Sequence, residues 1–218
     1  MKKNNKAFTL IELLVVITIV GILMGILGPK LADLIGGSKK TKLKSIFTTW
    51  ATQLHQYKSY YGYFPPFLYE SEEGEPILLS EYHQEFLAAL KGKERKDGNW
   101  VTLETYAEQN EKGREFHSFT SDEFMENGKF IGEYLEVKIL FDEDGSGNIE
   151  TSTTASTEIS ESLASEYSAE DLGDDFAEKI KFIDESVVFY ITIYENVSED
   201  EEWGVTNVFS WNLDKFLD

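Results

Sequence analysis

The sequence predicts an α+β protein in which a long N-terminal helix packs on a small antiparallel sheet. Three observations lead to this fold class. An apolar run covers residues 8–27. A stripe of large apolar side chains at helical spacing follows over residues 43–61. Two later segments, 135–141 and 187–194, show the alternation or the β-branched composition of strands.

The apolar run predicts a membrane span. Between residues 8 and 27 the only polar side chains are Thr9, Glu12 and Thr18. Twenty helical residues rise about 30 Å, which matches the hydrocarbon core of a bilayer. We therefore assign a transmembrane helix to residues 8–29. A cleavable secretory signal is the alternative, but the run exceeds the usual signal core and no Ala-x-Ala-like site follows it.

Glu12 is the charged side chain inside this run. An ionised acid deep in a membrane costs about 2.5–3.5 kcal/mol on insertion scales, so it needs a partner or a function. Either Glu12 lies close enough to the interface to reach lipid headgroups, or it meets a cation of another subunit at the same depth. Pro29 follows the run and predicts a kink or the point of membrane exit.

The segment "KKNNKAFTLIELLVVITIVGIL" resembles the N-terminus of type IV pilins and of the pseudopilins of type II secretion systems. These families carry a basic leader, a small residue and a Phe-Thr-Leu-Ile-Glu start. The resemblance implies a leader peptide, residues 1–7, that a prepilin peptidase and N-methyltransferase removes between Ala7 and Phe8 before methylating Phe8. The families usually carry Gly where this chain has Ala7. Glu12 occupies their acidic position, and Pro29 matches their kink.

Cleavage would create an ammonium group at the end of an apolar helix. A carboxylate of the next subunit can neutralise it, and either charge left alone in a low dielectric is penalised. The resemblance therefore implies that Glu12 pairs with the Phe8 amino group of a neighbour and sets the register of assembly.

Lysines flank the predicted span on both sides. Three precede it and five follow within residues 30–44, so the positive-inside rule alone would place the C-terminal side in the cytoplasm. The leader motif implies the opposite orientation. We expect a single-pass protein of the cytoplasmic membrane with its head outside the cytoplasm, and an extracytoplasmic filament after assembly.

Residues 30–61 continue the helix as an amphipathic segment. Its stripe has spacings of four, three, four, three and four: Leu43, Phe47, Trp50, Leu54, Tyr57 and Tyr61. Gly62 suits a left-handed helix end, and Pro65-Pro66 prevent continuation. The stretch "YKSYYGYFPP" resembles the helix-to-head junction of major pseudopilins.

Residues 62–218 form the predicted head. "SEYHQEFLAAL" reads as a short helix, residues 135–141 as an alternating strand, and 187–194 as a central strand with 204–211 as its partner. Residues 151–175 are rich in Ser, Thr, Ala and Glu, and we expect a partly mobile surface insertion there.

Charge is divided unevenly along the chain. Residues 1–61 hold nine lysines and two acids, whereas 62–218 hold eleven basic residues and thirty-eight acids. A head this acidic repels polyphosphates, so we expect no nucleic-acid partner. Cysteine is absent, which excludes disulfides and cysteine-ligated zinc.

One loop has the pattern of a calcium site. "DEDGSGNIE" places Asp142, Asp144, Ser146 and Asn148 at alternate positions, followed by Glu150, as in the first part of an EF-hand loop. The closing glutamate is missing, because Thr153 occupies its position. The alternative is an acidic turn between two strands, so Ca²⁺ is an open prediction. The acidic stretch 199–202 lies nearer to where major pseudopilins carry such loops, but it lacks their Gly-rich spacing.

No pattern supports catalysis. The three histidines share no ligand spacing, and the chain has no nucleophile elbow, phosphate-binding glycine loop or zinc-protease motif. We therefore expect a structural subunit of a type II secretion pseudopilus, with self and other pilin-like subunits as partners. A major or minor type IV pilus subunit is the alternative. An alternative of another class is a membrane-anchored acidic binding domain that does not polymerise.

Overall fold

The computed structural model describes residues 38–125, 127–164, 167, 172, 176–192 and 207–211. A helix, α1, covers residues 38–61. The N–H of Gly62, at φ +88°, donates to the carbonyl of Lys58 at 2.7 Å and ends the helix as the sequence predicts. A 3₁₀ turn, Pro66–Glu70, then carries the chain into the head.

The first half of the head holds short elements. Strand β1 is Ile77–Leu78, helix α2 is His83–Lys91, and strands β2 (Glu94–Lys96) and β3 (Asn99–Val101) form a hairpin. The predicted helix in "SEYHQEFLAAL" is therefore confirmed. Two 3₁₀ turns follow, Ala107–Gln109 and Ser121–Glu123, before the short helix α3 at Ile131–Tyr134.

The second half supplies most of the sheet. It contains, in chain order, β4 (Lys138–Phe141), β5 (Ile149–Glu150), α4 (Thr153–Ala164), α5 (Phe176–Lys179), β6 (Phe182–Ile183), β7 (Val187–Ile191) and β8 (Val208–Phe209). The main sheet has the order β1-β4-β7-β8, and all its pairings are antiparallel. Strands β5 and β6 form a separate pair. The mixed helical and antiparallel α+β class is thus confirmed.

Strand β7 is central and buried on both faces, as its composition predicts. Ile139 and Phe189 are paired across β4 and β7 and face the α1 layer, whereas Leu140 and Val188 face the opposite side. The alternation of strands assigns neighbouring residues to two different cores. Residues 193–194 of the predicted strand lie outside the described residues.

The predicted strand over 135–141 begins later than the sequence suggested. Its first part is taken by the end of α3, because the N–H of Leu135 donates to the carbonyl of Ile131 at 2.8 Å. The strand starts only at Lys138. Period-two alternation does not reveal such a turn, since the apolar residues keep their spacing through it.

The surface insertion expected at 151–175 also needs correction over part of its length. Residues Thr153–Ala164 form helix α4, and Ala155, Ile159 and Leu163 are buried against the second face of the sheet. These three positions lie four residues apart, so they form a narrow apolar stripe that the low average hydrophobicity conceals. The sheet is therefore covered on both faces, by α1 on one side and by α4 and α5 on the other.

Candidate functional site

The residues that the sequence singles out for processing and assembly lie outside the described part of the chain. Ala7, Phe8, Glu12 and Pro29 all precede residue 38, as does the predicted span 8–29. Among the described residues, no helix combines the length and the apolar character needed to cross a membrane. Within the described residues, the region closest to these positions is helix α1, and the surfaces where it meets the head form the candidate site.

The inner face of α1 is fully enclosed by the head. Five of its side chains have no exposed surface: Leu43, Phe47, Trp50, Leu54 and Tyr57. The ring of Trp50 lies 5.1–5.6 Å from four phenylalanine rings, measured between centroids: Phe47, Phe86, Phe130 and Phe189. Full burial of each large apolar side chain contributes about 1.5–3 kcal/mol. Helix α1 and the head therefore form one body.

A buried carboxylate fixes a surface segment to this helix. Glu123 is 3% exposed, and its Oε1 accepts hydrogen bonds from Trp50 Nε1 at 2.6 Å and from His117 Nε2 at 2.6 Å. Its Oε2 accepts from the backbone N–H of Thr120 at 2.7 Å and closes a capping box. The carboxylate thus joins α1 to residues 117–123.

The environment of Glu123 determines its charge. Burial by itself raises the pKa of this carboxyl, but the hydrogen bonds from His117, Thr120 and Trp50 together outweigh burial and lower the pKa below its ordinary value. The ionised form is therefore the one that the network requires. Sequence patterns did not point to Glu123, because its partner Trp50 lies 73 residues away.

The predicted calcium donors are only partly brought together. Asp144, Ser146, Asn148 and Glu150 line a cavity of about 460 Å³. Asp142 does not line it: its Oδ2 lies 3.6 Å from Lys58 Nζ and accepts the N–H of Gly147 at 3.0 Å.

The oxygens of this loop are largely engaged within the loop itself. Asp144 Oδ1 accepts from the N–H of Ser146 at 2.9 Å, and this hydrogen bond is the leading cause that lowers the pKa of Asp144. In the part of the chain that the structure describes, no group of three or more carboxylates or histidines is suitably placed for a metal ion. The arrangement does not form a calcium cage, and calcium binding stays a prediction.

A stripe of uncharged polar side chains, most of them small, runs along the outer face of α1, with the exposed Lys42 and Lys44 on either side of it. Seven exposed residues recur every three or four positions along it: Ser38, Thr41, Ser45, Thr48, Thr52, Gln56 and Ser59. Near its start, a groove of about 830 Å³ separates α1 from the segment that holds His117 and Glu123. Small side chains let a second element approach a helix closely. The helical spacing of the small polar residues reveals this stripe, whereas the spacing of the apolar residues does not.

The described histidines take structural roles. His83 Nδ1 lies 2.9 Å from the carbonyl of Ser80, and His117 belongs to the Glu123 network. His55 lies with its ring 6.3 Å from that of Phe64, and burial lowers its pKa. None of the three is paired with a hydroxyl nucleophile among the described residues, so the geometry offers no triad-like arrangement.

Comparison with known proteins gives one family match, which lies in the N-terminal segment. Residues 2–28 match the family model described as the prokaryotic N-terminal methylation motif, which is the signature of type IV pilins and pseudopilins. No curated protein and no solved structure gives a significant match to the chain. The motif supports a type IV pilin-like protein that is made as a membrane-anchored precursor. It also implies processing by a prepilin peptidase and assembly with pilin-like subunits, and it suggests a structural subunit rather than an enzyme.

Proposed function

We propose that this pilin-like chain is a structural subunit of a type II secretion pseudopilus. In this proposal the leader is removed between Ala7 and Phe8, and Phe8 becomes the N-methylated terminus. The apolar helix that follows anchors the precursor and later joins the filament. The observation that carries the pilin-like part of the proposal is the methylation motif at residues 2–28, which type IV pilins and pseudopilins share.

The described structure supports a subunit that assembles as a rigid unit. One face of α1 is buried by the head, and the opposite face presents a stripe of uncharged polar side chains bordered by Lys42 and Lys44. The helix-to-head junction at residues 57–66 also favours a pseudopilus subunit, because its sequence resembles that of major pseudopilins. Helix α1 ends there at residue 61, as expected.

The decisive experiment is the mass of the N-terminal peptide of protein purified from its native membranes. A chain that begins at methylated Phe8 is the expected result. A chain that begins at Met1 would overturn the proposal and leave an anchored acidic binding domain.

The role of Glu12 is tested separately by Glu12→Ala in the full chain. We expect normal membrane insertion and strongly reduced incorporation into filaments, because the Phe8 ammonium of a neighbour then lacks its partner. Asp33→Asn is the matched control, since Asp33 is the other acid within residues 1–61. Equal incorporation of both variants would defeat the pairing account.

The two filament types are distinguished by the consequence of deleting the gene. A pseudopilus subunit is required for the release of exported proteins, whereas a type IV pilus subunit is required for surface fibres. Loss of fibres with unchanged secretion would replace the pseudopilus with the type IV pilus.

A further inference from the structure

Two exposed tyrosines lie where α1 ends, and two cations lie against the first of them. Tyr60 and Tyr63 are 41% and 40% exposed. The guanidinium carbon of Arg114 lies 4.1 Å from the ring centroid of Tyr60, and Lys112 Nζ lies 4.7 Å from the same centroid. Both distances are within the range of cation–π attraction. The ring of the second tyrosine, Tyr63, lies 5.9 Å from that of Tyr61, which Lys112 Nζ also approaches at 5.5 Å. These four residues, Tyr60, Tyr63, Lys112 and Arg114, are called the Tyr60 patch below.

The cations of the Tyr60 patch lie against aromatic rings. Five described lysines lie within 4 Å of a carboxylate: Lys42, Lys58, Lys91, Lys129 and Lys138. In the described structure Lys112 and Arg114 contact aromatic rings instead. The neighbouring acid Glu115 is already paired, since its Oε1 lies 2.7 Å from Lys91 Nζ. Arg95 also lies over aromatic rings, but it donates to the carbonyl of Gly128 at 3.1 Å. Within the described residues, Lys112 and Arg114 are two neighbouring cations that share the ring of Tyr60 and lie within 4 Å of no carboxylate.

A buried asparagine holds the patch in place. Asn110 is 1% exposed, and its Oδ1 accepts from the hydroxyl of Tyr61 at 2.7 Å and from the N–H of Arg114 at 3.0 Å. Its Nδ2 donates to the carbonyls of Ala89 and Arg114, both at 2.7 Å. The loop is therefore fixed before any partner arrives, and little ordering entropy is lost on binding.

We propose that the Tyr60 patch is an intersubunit contact that binds an acidic surface of a second copy of this chain. The inference rests on the proposed filament, which brings copies of the chain side by side. Charge complementarity identifies the occupant, because every neighbouring copy presents a strongly acidic head. The planar guanidinium of Arg114 suits a carboxylate, and the exposed rings exclude water around the pair.

One described surface has the matching chemistry. The cavity of about 460 Å³ is lined by four acids, Glu73, Glu143, Asp144 and Glu150, and by Phe182, which is 58% exposed. A contact between this cavity and the Tyr60 patch joins two different surfaces of the same chain. Such heterologous contacts build open helical assemblies when the rotation does not close. The pairing is therefore consistent with a filament.

The test begins with charge reversal of the patch in the full-length chain. Lys112→Glu with Arg114→Glu should lower incorporation into filaments by roughly tenfold or more, the effect of a loss of about 1.4 kcal/mol. The control reverses two exposed lysines of the β2–β3 region, Lys93→Glu with Lys96→Glu, and changes net charge equally. We expect this control to assemble within about twofold of the wild type, because exposed charges away from an interface contribute little.

A charge swap then identifies the partner surface. Adding Glu73→Lys and Glu143→Lys to the patch reversal restores the original net charge and the complementarity of the two surfaces. We expect incorporation to return. Thermal melting of each variant in detergent checks that the head is folded, so that misfolding is not mistaken for a lost contact.

Two results would overturn the inference: a patch reversal that assembles as well as its control, or a swap that restores nothing. Failure of the proposed function is seen differently. In that case the wild-type chain keeps Met1 and enters no filament, whereas failure of the inference leaves methylated Phe8 and the dependence on Glu12 intact.

Discussion

The indole N–H of Trp50 donates to the carboxylate of Glu123 at 2.6 Å, although the two residues are 73 positions apart in the chain. Trp50 lies on the inner face of α1 with no exposed surface, and Glu123, itself 3% exposed, ends the 3₁₀ turn Ser121–Glu123. One hydrogen bond therefore joins the hydrophobic core to the groove beside α1. The first two predictions concern this contact.

Removal of the Glu123 carboxylate should destabilise the protein. Glu123→Ala leaves the buried N–H of Trp50 without an acceptor and His117 without its partner, and we expect a loss of roughly 3 kcal/mol. Glu123→Gln keeps an acceptor and should cost roughly 1 kcal/mol. Urea unfolding followed by tryptophan fluorescence measures both. Asp122→Ala is the control, because Asp122 is 67% exposed and its pair with Lys42 is worth at most about 1 kcal/mol. Equal losses for Ala at positions 122 and 123 would contradict this account.

Protonation of the Glu123 carboxylate should destabilise the protein in acid. Its pKa in the folded protein lies below the ordinary value of 4.5, so the folded state binds the proton less readily than the unfolded state. The stability contributed by Glu123 is therefore complete above pH 4.5 and is lost as pH falls through the folded pKa. The difference in unfolding midpoint between wild type and Glu123→Gln should be constant from neutrality down to about pH 4.5 and should shrink below it. A difference that stays constant over the whole acid range in which the wild type is folded would show that the carboxylate is not the titrating group.

A third prediction compares two glycines with similar backbone geometry. Gly92 and Gly98 have φ of +66° and +78°, so an alanine at either position adopts a strained conformation at a cost of about 1–2 kcal/mol. A Cβ at Gly92 would also collide with the carbonyl group of Gly113 and lie 2.8 Å from the carbonyl oxygen of Arg114, whereas nothing lies within 4 Å of a Cβ at Gly98. We expect Gly92→Ala to cost at least about 1 kcal/mol more than Gly98→Ala. Chemical denaturation of the two variants side by side measures the loss of stability. Equal losses would show that the loop of Gly113 can move away from a Cβ at position 92.

The calcium prediction requires a direct test. Calcium bound to the folded loop should raise the melting temperature of the full chain by mass action, and Asp144→Ala should abolish that rise. Glu143→Ala is the control, since Glu143 is an exposed acid of the same loop outside the alternating series. Melting curves that coincide in calcium and in chelator would leave the loop as a turn held by its own hydrogen bonds.

The elements that follow from local pattern were predictable. The stripe from Leu43 to Tyr57 needs only helical periodicity, and Gly62 with Pro65 needs only backbone stereochemistry. Strand β7 was recognisable because its β-branched and aromatic residues suit a buried strand. The methylation motif was also predictable, since its residues are contiguous in the sequence.

Other features depend on contacts between distant residues. The low average hydrophobicity of residues 151–175 does not reveal the buried face of α4. That face contributes to stability only because the sheet supplies a surface for Ile159 to cover. The position of Asp142 shows the same limit. Its spacing in the loop suggested a metal ligand, whereas the fold directs its carboxylate toward Lys58.

The sequence by itself determined the methylation motif, the end of the amphipathic helix at residue 61, and the α+β class, because each is encoded by residues close together in the chain. Only the tertiary structure decided that Glu123 holds Trp50, that α4 covers the second face of the sheet, and that Lys112 and Arg114 gather around Tyr60. These relationships join residues tens of positions apart, and their geometry is set by how the layers pack rather than by any local preference.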